Sequence, residues 1–147
     1  MRTGVYNIET RLCKDGKPYI MEVSPRGGGN RLSEMLKYTT GVDLIDNAVR
    51  AAVGEEVDHL SQPTYKGNWA EIILHADRSG RFQGLQTNDD VRPYVVEKDL
   101  WIKSGYEVQG FKGANDSIGT LVMCYNSKGQ LDEAMSKITD WCNITVK

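Results

Sequence analysis

The chain has 147 residues, 39% hydrophobic and 26% charged, which is enough for one domain with a real core and excludes a disordered or low-complexity class. A net charge of −2 gives no general attraction to nucleic acid or anionic membrane, and no apolar run approaches the ~20 residues of a membrane span. The three cysteines lack metal-ligand spacing and the N-terminus lacks a signal-peptide core, so reduced thiols and a cytoplasmic location are expected.

The first pattern is a hairpin. Residues 3–13 (TGVYNIETRLC) alternate, with Tyr6, Ile8, Thr10 and Leu12 on one face and Val5, Asn7, Glu9 and Arg11 on the other. Residues 17–24 (KPYIMEVS) alternate as well, and Asp15-Gly16 between the runs predicts a two-residue type I′ turn. With Lys14 facing Lys17, Leu12 meets Tyr19, Ile8 meets Val23, and Glu9 stands directly opposite Glu22. Opposed side chains on an antiparallel pair have Cβ atoms roughly 4.5–5.5 Å apart, where like charges destabilise. Two readings stay open. Either a divalent cation sits between the carboxylates with phosphate oxygens completing its shell, or a three-residue turn with a bulge shifts the register and sends the glutamates to opposite faces.

After the second strand comes Ser24-Pro25-Arg26-Gly27-Gly28-Gly29-Asn30, then residues 31–38 (RLSEMLKY), where Leu32, Met35 and Leu36 have helical spacing. Three glycines leave backbone amides unshielded at a helix start, which suits an anion, and Arg26 adds a guanidinium fork for phosphate or carboxylate. The plainer reading is a flexible connector with Asn30 as the helix cap. Residues 42–53 form a packing helix with Asp43 as an N-terminal charge and Gly54 beyond its end. Residues 55–68 are polar, contain one proline and read as a connector.

The second half reads as a small antiparallel sheet with one late helix. Residues 69–76, 82–86, 91–96, 106–111 and 118–125 are strand-like, 131–141 are helical, and 144–146 return as a last strand. Consecutive antiparallel strands of this kind can curl into a partly closed sheet. Trp101 reads as core or edge packing, with a pocket-lining role as the sharper option, and residues 113–119 as a surface loop rather than an anion-binding turn. His59 and His75, the only histidines, read as structural, and no Ser-His-Asp set or placed cysteine is present.

The run Asn7-Ile8-Glu9, then Pro18-Tyr19-Ile20-Met21-Glu22-Val23-Ser24-Pro25-Arg26-Gly27-Gly28-Gly29-Asn30, then Thr40-Gly41-Val42-Asp43-Leu44, resembles the C-terminal part of the ATP-grasp ligase superfamily over residues 4–54. The resemblance is to carbamoyl-phosphate-synthase-like and purine-biosynthesis-like members. It implies an α+β fold divided into a metal-binding hairpin, glycine loop and helices at residues 1–54, a connector at 55–68, and a C-terminal antiparallel β subdomain with one late helix at 69–147. It implies that Glu9 and Glu22 bind the Mg²⁺, or Mn²⁺, that accompanies ATP. Ser24 stands where the family motif has a metal-binding asparagine, Arg26 serves catalysis and the phosphates, and Gly27, Gly28, Gly29 and Asn30 bind substrate.

The activity so implied is activation of a carboxylate as an acylphosphate with Mg-ATP, followed by attack of an amine. Phosphoryl transfer needs positioning and charge neutralisation more than a side-chain nucleophile, and the absence of a triad agrees with that. The nucleotide-binding lysines and Gly-rich lid of such ligases precede the hairpin. The 147 residues are therefore expected to be the C-terminal piece of a larger ligase, inactive alone, whose partners are small carboxylate and amine substrates and the missing N-terminal half. A homodimer remains open, and the alternative is a non-catalytic scaffold or nucleotide-sensing module derived from the same fold.

Overall fold

The computed structural model describes residues 4–57 and 62–147; Thr3 of the expected first strand and His59 lie outside them. The chain divides into two compact units, residues 1–66 and 67–147. The architecture is α+β, with antiparallel sheets and helices in both halves.

In the first unit β1 (Asn7–Leu12) and β2 (Pro18–Ser24) form a two-stranded antiparallel hairpin. The expected two-residue turn is not what joins them. Gly16 N–H donates to the Cys13 carbonyl and Cys13 N–H donates to the Lys17 carbonyl, each at 3.0 Å, so three residues occupy the loop. Gly16 takes the left-handed conformation at φ 75°, which a side chain would oppose, and completes a type I turn with a glycine bulge. Asp15 fixes this turn by accepting from the Lys17 amide at 3.1 Å and the Tyr19 hydroxyl at 2.9 Å, and those two bonds hold its carboxyl below the usual range.

The longer loop moves the register near the turn by one residue, so Leu12 faces Pro18 rather than Tyr19. A second irregularity follows between Glu9 and Thr10. Thr10 pairs with Ile20 while Glu9 pairs with Glu22, which leaves Met21 as an extra residue on β2. The two offsets cancel, and Ile8 meets Val23 and Glu9 meets Glu22 as the sequence pattern anticipates.

Two helices follow. The first, α1 (Leu32–Thr40), begins one residue later than expected and ends at Gly41, whose N–H closes on the Lys37 carbonyl at 2.8 Å. Asn30 does not cap it: Arg31 holds the N-cap position, and no side chain bonds there. The second, α2 (Leu44–Val53), is capped by Asp43, whose carboxylate accepts from the amides of Ile45 and Asp46 at 3.1 and 3.0 Å. Lys37 reaches the same carboxylate at 2.6 Å and ties the helices together.

The Asp46 amide and the Lys37 ammonium, in that order, draw the Asp43 carboxyl below its ordinary 3.8. A depressed folded value means that the cap stabilises fully above pH 3.8 and loses its effect as pH falls through the folded value. The protection factors of the Ile45 and Asp46 amides, corrected for the intrinsic pH dependence of exchange, should therefore be high at neutral pH and fall in acid, and an Asp43→Ala variant should show the low protection at every pH. Equal exchange in both proteins would remove Asp43 as the determinant.

The second unit holds the hydrophobic core. Its strands are β3 (Asn68–His75), β4 (Gly80–Thr87), β5 (Val95–Leu100), β6 (Glu107–Val108), β7 (Ser117–Tyr125) and β8 (Cys142–Val146), with helices α3 (Lys128–Ser136) and α4 (Ile138–Trp141) before the last. They make two three-stranded antiparallel sheets, ordered β3-β7-β5 and β6-β4-β8. Strands consecutive in sequence are not neighbours in either sheet. The core is instead closed by long-range pairing: β7 is central, and Leu121, Val122 and Met123 are fully buried.

Three expected elements change. Residues 91–96 start with a 3₁₀ turn at Arg92–Tyr94, because Pro93 lacks the N–H a strand would need, and the strand begins only at Val95. The strand expected at 106–111 is reduced to β6. The single late helix is broken at Lys137 into α3 and α4.

Candidate functional site

The candidate site lies wholly in the first unit, on the hairpin and the loop that leaves it. Paired positions in an antiparallel ladder project to the same side, so Glu9 and Glu22 share one face of the β1–β2 ribbon. No salt bridge to either carboxylate is present among the described residues. Ser24, two positions after Glu22 and so on the same side of β2, donates its hydroxyl to Glu22 Oε1 at 2.5 Å. That bond orients the carboxylate and leaves the hydroxyl lone pairs available.

This donor set is hard oxygen throughout, the chemistry that Mg²⁺ and Mn²⁺ take. Among the described residues no cluster of three or more His, Cys, Asp or Glu side chains is placed to hold a metal. Two carboxylates and a hydroxyl leave an octahedral shell open to phosphate oxygens and water, which is the usual way that Mg²⁺ is held beside a nucleotide. The residues present fit such an ion.

The loop that leaves β2 carries the other residues selected from the sequence. Arg26 is exposed, and among the described residues its Nη1 bonds to the adjacent Gly27 carbonyl alone, at 2.9 Å. Gly28 has no room for a side chain, since a Cβ there would come within 2.3 Å of Leu32 Cδ2 and 3.0 Å of Leu32 Cβ. Asn30 and Arg31 then both adopt left-handed backbone, at φ 51° and 59°, which is strained for residues with a Cβ. Leu32 N–H closes the segment on the Gly29 carbonyl at 3.2 Å. The segment is a tight, conformationally specific turn into α1 and not a featureless connector.

Elsewhere the bland readings prevail. The ring of His75 packs on Phe111 with centroids 4.3 Å apart. Trp101 is 57% exposed and so outside the core; it extends the edge strand β5, its backbone N–H donating to the Ile118 carbonyl and its indole N–H to Asp99 Oδ2, each at 2.9 Å. In residues 113–119 the Asp116 carboxylate accepts from the amides of Lys112 and Gly113 at 2.9 and 3.1 Å, so these amides are already used within the chain. None of the three cysteines is in a disulfide, and burial pushes the Cys142 thiol up from its ordinary range. No described helix is long and apolar enough to cross a membrane.

Solved structures with the same arrangement cover nearly the whole chain. An L-amino acid ligase from Bacillus licheniformis superposes with a TM-score of 0.78 at 20% identity over 98% of this chain and 36% of its own. Phosphoribosylglycinamide synthetase from Anaerococcus prevotii gives 0.75 at 22% identity, over 97% and 37%. The chain has the fold of part of an ATP-grasp ligase. The ATP-grasp resemblance of the hairpin thus extends, at the level of fold, through the second unit as well. A further ATP-grasp structure, the biotin carboxylase domain of Hydrogenobacter thermophilus 2-oxoglutarate carboxylase with MgADP and bicarbonate, gives 0.70 at 18% identity over 97% of this chain and 32% of its own.

In sequence, the chain is 28% identical over 143 residues to uncharacterized protein y4rH of Sinorhizobium fredii, covering 94% of this chain and 29% of that protein. It is 33% identical over 101 residues to carnosine synthase 1 of Gallus gallus, covering 63% and 11%. No protein-family model matches the chain. This chain spans about a third or less of the length of each of these two relatives.

Proposed function

We propose that this chain is the metal-binding, C-terminal portion of an ATP-dependent ligase that joins a carboxylate to an amine through an acylphosphate. The observation that carries the proposal is the Glu9–Glu22 pairing on one hairpin face, followed at once by Arg26 and the glycine turn, within an ATP-grasp fold. Bound there with the nucleotide, Mg²⁺ or Mn²⁺ supplies neutralisation of charge on the phosphates.

Glu9 and Glu22 hold that ion, and the Ser24 hydroxyl fixes the orientation of Glu22 and stands as a third oxygen donor. The Arg26 guanidinium, bonded among the described residues to a neighbouring carbonyl alone, is available to the transferred phosphoryl group or the acyl oxygen. Gly27, Gly28, Gly29 and Asn30 offer main-chain amides to the substrate carboxylate at the entrance to α1. L-amino acid ligase, phosphoribosylglycinamide synthetase and carnosine synthase are all named for joining or building small molecules, which supports small carboxylate and amine substrates.

The remaining N-terminal half of the ligase is the second partner. The hairpin leaves the apolar side chains of Leu12, Ile20 and Met21 between 61% and 73% exposed. We assign those side chains to packing against the preceding nucleotide-binding portion.

The reaction class is tested by incubating the intact ligase with ATP, Mg²⁺, a panel of amino acids as carboxylates, and hydroxylamine. Hydroxylamine should intercept the activated carboxylate as a hydroxamate, with ADP and phosphate released in step. Nucleotide binding without consumption, for any carboxylate, would instead establish the sensing-module alternative.

A further inference from the structure

A cavity of about 380 Å³ opens in the second unit between the 88–94 turn and the α3–α4 pair. Its size is within the roughly 300–1,000 Å³ of small-molecule sites. Buried Val91, Tyr125 and Trp141 form the floor together with half-buried Tyr94. This floor is rigid. The Tyr94 and Tyr125 rings stack at 4.7 Å, and the Trp141 indole N–H donates to the Ala134 carbonyl at 2.8 Å. The turn is tied to α4 by Asn88, whose N–H donates to the Trp141 carbonyl at 3.2 Å.

The rim has a definite charge. Asp90, Glu133 and Asp140 line it with one cation, Lys137, and Lys137 is taken up by Glu133 at 2.8 Å. Asp90 and Asp140, both exposed, have no salt bridge among the described residues, although the Lys137 ammonium also feels the Asp140 charge, and the rim keeps an excess of negative charge. Nearby Asp89 is paired with Arg92 at 2.9 Å and adds no free charge. Such a rim repels nucleotides and carboxylates, while an ammonium beside the Tyr94 face gains from both carboxylates and the ring.

We propose that this cavity is a binding site for a small organic amine with an aromatic body, the ring lying against half-buried Tyr94 above the floor that Val91 and Trp141 form and the ammonium lying between Asp90 and Asp140. It is separate from the hairpin site and does not rest on the ligase reading. An apolar floor selects the ring, and the carboxylate rim selects the charge.

The test is titration of the isotope-labelled 147-residue chain with tyramine, p-cresol as its neutral counterpart and phloretate as its anionic one, followed by NMR. Tyramine should shift the Trp141 indole resonance and the amides of Val91 and Ala134, and should bind more tightly than p-cresol, with phloretate weakest. In the Asp90→Asn/Asp140→Asn double variant, tyramine affinity should fall about fivefold to tenfold, the scale of two exposed ion pairs, while p-cresol binding is unchanged. Equal binding of the three compounds, shifts confined to other residues, or an unaffected double variant would each overturn the proposal. Because p-cresol reports the cavity independently of charge, a variant that misfolds is recognised by loss of its binding too.

Discussion

Replacing Glu22 by Gln in the intact ligase is expected to lower turnover by about 10²- to 10³-fold, the scale on which removing one preorganised electrostatic partner acts. Glutamine has the shape of glutamate, and its carbonyl can still accept the Ser24 hydroxyl, so the hairpin should keep its register. What disappears is one of the two negative charges that face each other across β1 and β2. The same loss should follow Glu9→Gln, and the double variant should be far less than multiplicatively worse, because the two side chains act as one site. Steady-state ATP consumption, with circular dichroism as the control for folding, decides the matter. Turnover unchanged in either single variant would remove the metal assignment.

The second large effect concerns stability. Leu121→Ala should destabilise the second unit by about 2–5 kcal/mol, since Leu121 is fully buried and its removal leaves a void that the sheet cannot fill. Leu121 sits in the middle of β7, paired with Ile72 of β3 on one side and Lys98 of β5 on the other. Backbone pairing on both edges prevents the strand from relaxing into the gap. A domain has only about 5–15 kcal/mol in hand, so a cut of this size removes a large fraction of it. Denaturant titration should show a lower midpoint with an unchanged slope. A loss no larger than that of an exposed site such as Val96, 48% exposed, would show that the core is not where burial places it.

How far the sequence alone led depended on whether the deciding interaction was local. Helix α2 was legible because its cap, Asp43, and its terminator, Gly54, are adjacent to it. The hairpin was legible because Asp15-Gly16 marks a turn, yet the turn carries three residues and not two. Asp-Gly suits either form, and the choice rests on the bonds that Asp15 makes to Lys17 and Tyr19. Strand order was not legible. The central position of β7 between β3 and β5 is a matter of long-range packing, and alternation within each strand is silent about it.

The site shows the same division. Glu9, Glu22, Arg26 and the glycines are close in sequence and could be selected together, whereas the orienting bond from Ser24 to Glu22 required coordinates. Residues 113–119 read as a surface loop from their composition, and the bonds from the Lys112 and Gly113 amides to Asp116 agree with that. The cavity over Tyr94 and Trp141 had no signal in the sequence at all. Its wall is drawn from four separate segments, and tyrosine and tryptophan at strand and helix ends look like ordinary core.

The cancelling offsets in the hairpin have a consequence for how such a site tolerates change. The three-residue loop shifts the strands by one relative to a two-residue turn, and the extra Met21 shifts them back. Deleting Met21 would leave the same cross-strand pairs closed by the same loop, so Glu9 would still face Glu22 on an unbulged ribbon. The facing pair therefore tolerates a change of one residue wherever the loop or the bulge absorbs it, and is lost only when the pairs between the glutamates and the loop slip by one.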